Sequence, residues 1–408
     1  MATSIDAILR DERPRVVAML ARRFGDLDLA EDATQEAMIS ALSHWPADGL
    51  PDRPGAWLMT TAYRKAVDLL RKKRPSVDLD AVLHVTGDPG QEPDFAGDAI
   101  SDDVLALLLT CCHPSLDTPS RLALALRHVC GLTASEIATG FVLTEAAVAK
   151  RLVRVKQKIT RAGITFSVPD GARLDERVED VRTVIYVLFT EGHLSTGTSD
   201  GIRADLCDEA IWLCRQLDLV RPGDGATLGL LALMLIQRSR LPARVDHQGK
   251  LVQFSDQDRD NWDYKSIEEA RALLAQTGSS PLGRYQVEGA IALLLVSGDE
   301  PDWTRIADLY GVLSRIAPSP IVEVNRALAV GTADGPPAGL SILHAVIEEG
   351  RLTDYVPLHT VRAELLVRSG DTEGARQSYL RAADLTANDL LRDALQKRAD
   401  ATGTRRTY

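Results

Sequence analysis

Three groupings in this chain of 408 residues carry side chains capable of chemistry. Asp256, Asp258 and Asp260 have the alternate spacing with which a calcium loop gathers carboxylates on one ion. Such a loop needs glycine at its sixth place and glutamate at its twelfth, where this chain has Asn261 and Ile267, so calcium is not expected. Asp246 and His247 beside those aspartates suggest a metallohydrolase cluster, but the neighbouring Arg240, Arg244 and Arg259 favour a polar turn network. Cys111, Cys112 and His113, with His128 and Cys130, offer soft ligands for zinc. Adjacent cysteines leave a helix in different directions and the C-x₂-C spacing is missing, so core thiols are expected. Glu191 and His193 adjoin a Gly-rich loop, yet no nucleophile or phosphate-binding pattern accompanies them, and His193 reads as a loop hydrogen-bonder. No catalytic residue, metal or cofactor is expected. The chemistry left is binding.

The binding signal is centred on Leu132 to Arg161, which reads as two short helices and a turn. Thr133 and Glu136 fit a capping box, starting the first helix at Ala134, and that helix ends near Gly140. Thr144 can cap the second helix with its hydroxyl. Val148, Leu152, Val155 and Ile159 recur at helical spacing and form an inner stripe, leaving Ala146, Lys150, Arg154 and Gln157 outside, with Arg151 on the flank. Small residues at the helix start (Ala146, Ala147) followed by Lys150, Arg151 and Arg154 suit a recognition helix in a major groove. A solvated amphipathic helix would look similar, so charge decides. Residues 121–161 hold eight Lys or Arg and only two acids, in a chain whose formal charge is −11. A local basic surplus against an acidic background marks a placed patch for nucleic acid.

Other elements position further candidates. Ser4 to Phe24 has helical apolar spacing. The stretch from Asp28 to Glu36 leads into Met38, Ile39 and Leu42, an acidic-faced helix ending near Pro46. Gly55 to Arg74 reads as one helix closing in Arg71, Lys72, Lys73 and Arg74. Basic residues complement a helix C-terminus, but four in a row exceed what a cap needs and point to nucleic acid. Pro75 stops that helix. Ser76 to Asp103 is acidic, rich in Gly and Pro and free of Lys and Arg, a linker composition, and helical texture resumes at Val104.

Together these stretches resemble the bacterial RNA polymerase sigma factors of the extracytoplasmic-function group. Leu29 to Glu36 is similar to the family's region-two acidic helix, and Ala56-Trp57-Leu58 with Ala62 to Arg71 to its minus-ten segment. Leu132 to Ile159 is similar to region four. The resemblance implies binding of the polymerase core, on the clamp helices of its largest subunit, through Glu31, Asp32, Gln35 and Glu36. It implies minus-ten contacts from Trp57, Arg64, Lys65, Arg71, Lys72, Lys73 and Arg74. For the minus-thirty-five element it implies Thr144, Ala146, Ala147, Lys150, Arg151 and Arg154. Arg64 departs from the pattern, standing where the family usually has Asn, which puts the preferred base in doubt.

Beyond Pro169 the chain continues past a minimal sigma factor. Val178 to Phe189 reads as an apolar helix, Ala204 to Leu219 as an amphipathic one and Leu228 to Ile236 as central to a core. Ala243 to Asp246, Asp256 to Arg259 with Trp262, Asp302-Trp303, Pro320 to Ala329 and His359 to Ala383 resemble the carboxy-terminal part of a sigma subgroup ending in tetratricopeptide-like helices. Ala363, Leu365, Gly370, Ala375, Tyr379 and Ala383 follow the logic of one repeat unit; further units are degenerate or absent. The expected fold is all-α. Its domains are region two over 1–75, an acidic linker over 76–103, region four with a helix-turn-helix over 104–168, a helical extension over 169–285 and tetratricopeptide-like helices over 286–408. The partners expected are the polymerase core, promoter DNA and a regulatory protein on the extension, with no membrane. Five cysteines in so long a chain make no disulfide framework, and the charged start lacks a signal peptide's apolar region, so a cytoplasmic location is expected. The extension is expected to regulate in cis, either covering the DNA-binding helices or holding the active form. The alternative is a stand-alone helix-turn-helix regulator with a ligand- or protein-sensing domain.

Overall fold

A computed structural model describes residues 5–73, 97–140, 143–164, 166, 172–194, 203–244, 246, 252, 254–298, 300–386 and 388–404. Among the described residues the regular elements are all helical. The chain divides into two compact units, 1–187 and 188–408.

In the first unit, α1 (Ile5–Phe24), α2 (Leu27–Asp48) and α3 (Pro54–Lys73) pack on one another. The Asp26 carboxylate accepts from the Leu29 amide at 3.0 Å, so α2 starts with one orphan N–H satisfied. Ala30, Ala33, Ala37 and Ala41 are wholly buried along α2, and side chains this small let α1 and α3 come close. Next come α4 (Gly97–Cys111), α5 (Thr118–Leu124) running into a π-turn (Ala125–Val129), α6 (Ala134–Gly140) and α7 (Glu145–Arg161).

Two expectations need correction. Helix α4 begins at Gly97, so the end of the expected linker is helical. Carboxylates in the first turns of a helix favour its dipole, which explains how an acidic stretch joins one. Asp103 is buried against α1, where Arg22 Nη1 meets its Oδ1 at 2.5 Å. Helix α8 (Ala172–Leu194) likewise outruns the expected Val178 to Phe189, so His193 is helical. Gly192 is a packing residue. A Cβ there would come 2.8 Å from the Arg203 carbonyl oxygen, so glycine admits the start of the next helix.

In the second unit, α9 (Ala204–Val220) and α10 (Gly225–Ser239) precede α11 (Tyr264–Gln276) and α12 (Arg284–Val296). Helix α10 is central, burying Leu228, Leu230, Leu231, Met234, Leu235 and Ile236 among α9, α11 and α12. The remaining helices are α13 (Trp303–Ile316), α14 (Pro320–Ala333), α15 (Pro336–Glu348), α16 (Val356–Ser369), α17 (Thr372–Leu385) and α18 (Asp389–Thr404). Each packs on the next, giving a tetratricopeptide-like ladder from 303 to 404. Ala363, Leu365, Ala375, Tyr379 and Ala383 are buried between its helices, and Gly370 caps α16 with φ +88. Helix pairing extends well beyond the one unit legible in the sequence. Elsewhere the close approach uses other residues: a Cβ on Gly339 would lie 2.4 Å from the Ala327 carbonyl oxygen.

Candidate nucleic-acid interface

Helix α7 is built by its caps and its inner stripe. Upstream of it, the Thr133 amide donates to Glu136 Oε2 at 2.7 Å and the Glu136 amide to Thr133 Oγ1 at 3.1 Å, both halves of a capping box. Thr144 Oγ1 accepts from the Ala147 amide at 3.3 Å and starts α7. Val148, Leu152, Val155 and Ile159 are each at most 6% exposed. Ala146, Ala147, Lys150 and Arg154 stand on the exposed face, with Arg151 half-buried beside them. Among the described residues no carboxylate pairs with Lys150, Arg151 or Arg154. Arg154 Nε donates only to the Lys150 carbonyl, at 3.4 Å.

Lys156, on the same helix, faces another way. Its Nζ donates to Glu31 Oε2 at 3.0 Å and to Asp28 Oδ1 at 2.6 Å, both on α2. Glu31 is therefore turned inward. Its Oε1 accepts from Arg13 Nη2 at 3.3 Å, with Arg127 Nε at 3.5 Å and His128 Nδ1 at 3.1 Å. The His128 imidazole is wholly buried; its Nδ1 lies against Glu31, and among the described residues its Nε2 has no partner. The π-turn carries Arg127 and His128, and a widened turn of this kind re-aims side chains. Burial would raise the Glu31 pKa, but His128 and Lys156 hold the carboxyl below the usual carboxylate range. Burial pushes the His128 pKa down more strongly than Glu31 lifts it. The Lys156 pKa is lowered by burial and raised further by Asp28 and Glu31, ending above its ordinary value.

The other candidates divide. Asp32 and Gln35 are exposed on α2, and Glu36 Oε2 lies 3.5 Å from Lys65 Nζ on α3. Trp57 is half-buried edge-on against Trp45, with ring centroids 5.4 Å apart. Arg64, Arg71 and Lys72 are exposed, and Arg71 Nη1 lies 3.5 Å from Asp68 Oδ1. Lys73 ends α3, while Arg74 lies outside the described residues. Sequence reasoning did not place Ile39 and Leu42 in a site, although they are 57% and 48% exposed on α2. Their signal was the spacing from Gln35, four and seven residues on, which keeps all three on one face.

The remaining chemical candidates are dispersed. Cys111 and Cys112 are buried, and burial pushes the Cys111 thiol up to about 12. Asp258 and Asp263 cap helical turns, their side chains accepting from the Asp260 and Ser266 amides. Arg240 Nε donates to Gln257 Oε1 at 3.3 Å and Arg259 Nη1 to the Gly298 carbonyl, and the two guanidiniums lie 6.0 and 5.0 Å from the Trp262 ring centre. The expected polar turn network thus runs from these arginines to amide and carbonyl oxygens, with stacking added. A guanidinium stacks on an aromatic face as readily as it pairs, and Trp262 supplies the face. His247 lies outside the described residues. No described helix is long and apolar enough to cross a membrane.

Comparison with known proteins matches this layout. Residues 8–75 match the Sigma-70 region 2 family, and residues 177–278 match a family of unknown function, DUF6596. A Rhizobium meliloti (strain 1021) protein, named only as uncharacterized protein R00370, is 39% identical over 94% of this chain and 92% of its own length. A probable ECF RNA polymerase sigma factor SigI of Mycobacterium tuberculosis is 29% identical over 40% of this chain and 57% of its own. A tetratricopeptide repeat protein from Parabacteroides merdae covers 90% of this chain and 99% of its own at 11% identity, but a TM-score of 0.38 gives that likeness no weight. The chain belongs to the extracytoplasmic-function sigma factors, in a family that carries a large helical carboxy-terminal extension.

Proposed function

We propose that the protein directs RNA polymerase core to particular promoters, with α7 reading the minus-thirty-five element and α3 the minus-ten element. The observation that carries this is the outer face of α7, where Lys150, Arg151 and Arg154 form no ion pair among the described residues, with only the field of Asp117 reaching Arg151, while Lys156 is committed to α2. Unpaired cations behind two exposed alanines suit phosphates and base edges in a major groove. Trp57, Arg64, Lys65, Arg71, Lys72, Lys73 and Arg74 are the minus-ten candidates. Polymerase docking falls to Asp32, Gln35 and Glu36, joined by Ile39 and Leu42, with Glu31 serving the internal tie instead.

That tie sets a condition on promoter reading. The two elements lie apart on one DNA, whereas Lys156 and Glu31 are in hydrogen-bond contact. Reading both elements at once requires α2 and α7 to separate, so the arrangement described is a resting state. The extension regulates this step in cis through protein contacts, since a helical ladder presents extended binding surfaces.

Run-off transcription with purified bacterial core polymerase and a promoter library tests the reading. Full-length protein is compared with residues 1–194, a cut that leaves α8 whole. Initiation at a defined sequence that depends on core is expected. More initiation from the shorter chain means that the extension restrains, and loss means that it holds the active form. An unchanged rate sinks cis regulation, and DNA binding without any effect on initiation moves the protein to the stand-alone regulators.

A further inference from the structure

The second unit holds two half-buried guanidiniums with no carboxylate partner among the described residues. Arg240 lies 4.5 Å over the Phe254 ring, and its Nε donates to Gln257 Oε1 at 3.3 Å. Arg244, one helical turn on, donates through Nη1 to the His193 carbonyl at 2.8 Å, with His193 Nε2 also at 2.8 Å. Among the described residues no carboxylate pairs with either. Burial and the two arginines press the His193 pKa down to about 3, so the imidazole is neutral and leaves both positive charges in place. A partly desolvated cation without an anion carries a cost, and the chain retains two four residues apart.

Arg244 also lines a cavity of about 620 Å³ on the ladder. Arg368 and Arg398 line it too, and Glu364 is its one acid among the described residues. Arg398 Nη1 donates to Glu364 Oε1 at 2.9 Å, which cancels one charge. Arg368 Nη1 donates to a hydroxyl, Thr332 Oγ1, at 2.9 Å. Two positive charges therefore remain uncompensated at walls that include Phe254, Trp303 and Tyr379. The volume falls in the range of small-molecule sites, which combine apolar walls with a few polar groups that fix orientation.

We propose that this cavity binds a small amphipathic anion, its carboxylate or phosphate meeting Arg244 and Arg368 and its apolar body packing on Phe254, Trp303 and Tyr379. Guanidinium geometry matches both oxyanions, so the charge and shape of the group decide between them. The ligand supplies the countercharge that the fold omits, and the site gives the extension a chemical input. This assignment stands on the cavity alone and does not depend on the promoter reading.

The test is calorimetric titration of full-length protein with 2-naphthoate and 2-naphthyl phosphate, beside the neutral 2-naphthamide. Quenching of tryptophan fluorescence, compared with Trp303→Phe, reports whether the probe sits at this wall. At least one anion is expected to bind about tenfold or more tighter than the amide, and Arg244→Gln and Arg368→Gln are each expected to remove that preference. Arg244 also braces His193, so its variant has a route to misfolding; exposed Arg368 bonds only a hydroxyl and keeps the question decidable. The proposal is overturned if neither anion binds, if the amide binds as tightly, or if Arg368→Gln leaves the anion preference intact.

Discussion

Lys156 of α7 and Glu31 of α2 are 125 residues apart in sequence, and Nζ of one lies 3.0 Å from Oε2 of the other. This ion pair joins the helix with the unpaired basic face to the helix with the exposed acidic one. Both side chains are less than a fifth exposed. Removing one partner strands the other, at a cost below the roughly 3–5 kcal/mol of a fully buried pair because water still reaches this one. Lys156→Met is expected to destabilise the first unit by about 2 kcal/mol in urea unfolding. On a resting-state reading it also raises initiation per molecule of folded protein. A variant that unfolds earlier and initiates no better would leave the pair a purely structural one.

Thr144 and Arg154 were both candidates for the upstream element, and the structure gives them different work. Thr144 caps α7, so Thr144→Ala should cost about 1 kcal/mol of stability. Arg154→Ala should leave the melting temperature alone and weaken upstream-element use by about 1–3 kcal/mol if it reads a base. Electrophoretic titration of holoenzyme on promoter variants separates the two. Equal loss on every sequence would reassign Arg154 to phosphate contact.

Ile39 is exposed on α2 beside Gln35 and Asp32, where burial does not explain a large aliphatic side chain. Ile39→Ser should change unfolding free energy by no more than about 0.5 kcal/mol, as a surface change does. Affinity for core polymerase should fall about tenfold or more in a pull-down titration. Undiminished core binding would remove α2's outer face from the docking surface.

Stability should fall on mild acidification, and the sign follows from the histidines. His193 has a folded pKa lowered from 6.5 to about 3, and that of His128 is lowered too, both by burial first. Their neutral forms favour folding, so this stability is complete above pH 6.5. It is lost as the pH falls below that value, at about 1.4 kcal/mol per unit for each group. Glu31 works in a lower window: its depressed pKa supports folding above about 4.5 and loses that support below. Urea midpoints at pH 7.5, 6.5 and 5.5 should therefore decline together with the histidines, and His193→Gln should flatten the decline for the second unit. An unchanged slope in that variant would mean that His193 titrates normally.

Local sequence determined a good deal. Capping residues and the apolar stripe set α6 and α7 to the residue, because a helix start and its buried face depend on neighbours within a few positions. The pattern at Ala363, Gly370 and Tyr379 likewise marked one helix pair, and helical apolar spacing in stretch after stretch pointed to an all-α chain. Only tertiary structure decided the rest. Nothing near Glu31 in sequence announces Lys156, His128 and Arg13, since a carboxylate's partner is fixed by which helices meet in space. The α14–α15 pair stayed hidden because its close approach runs through Gly331 and Gly339, which the one legible unit does not use. His193 was read as a loop hydrogen-bonder beside a Gly-rich stretch, yet it lies in α8, where Gly192 admits a neighbouring backbone at 2.8 Å. The two half-buried arginines, 240 and 244, looked like ordinary turn residues; only the packed fold shows that no described carboxylate reaches them.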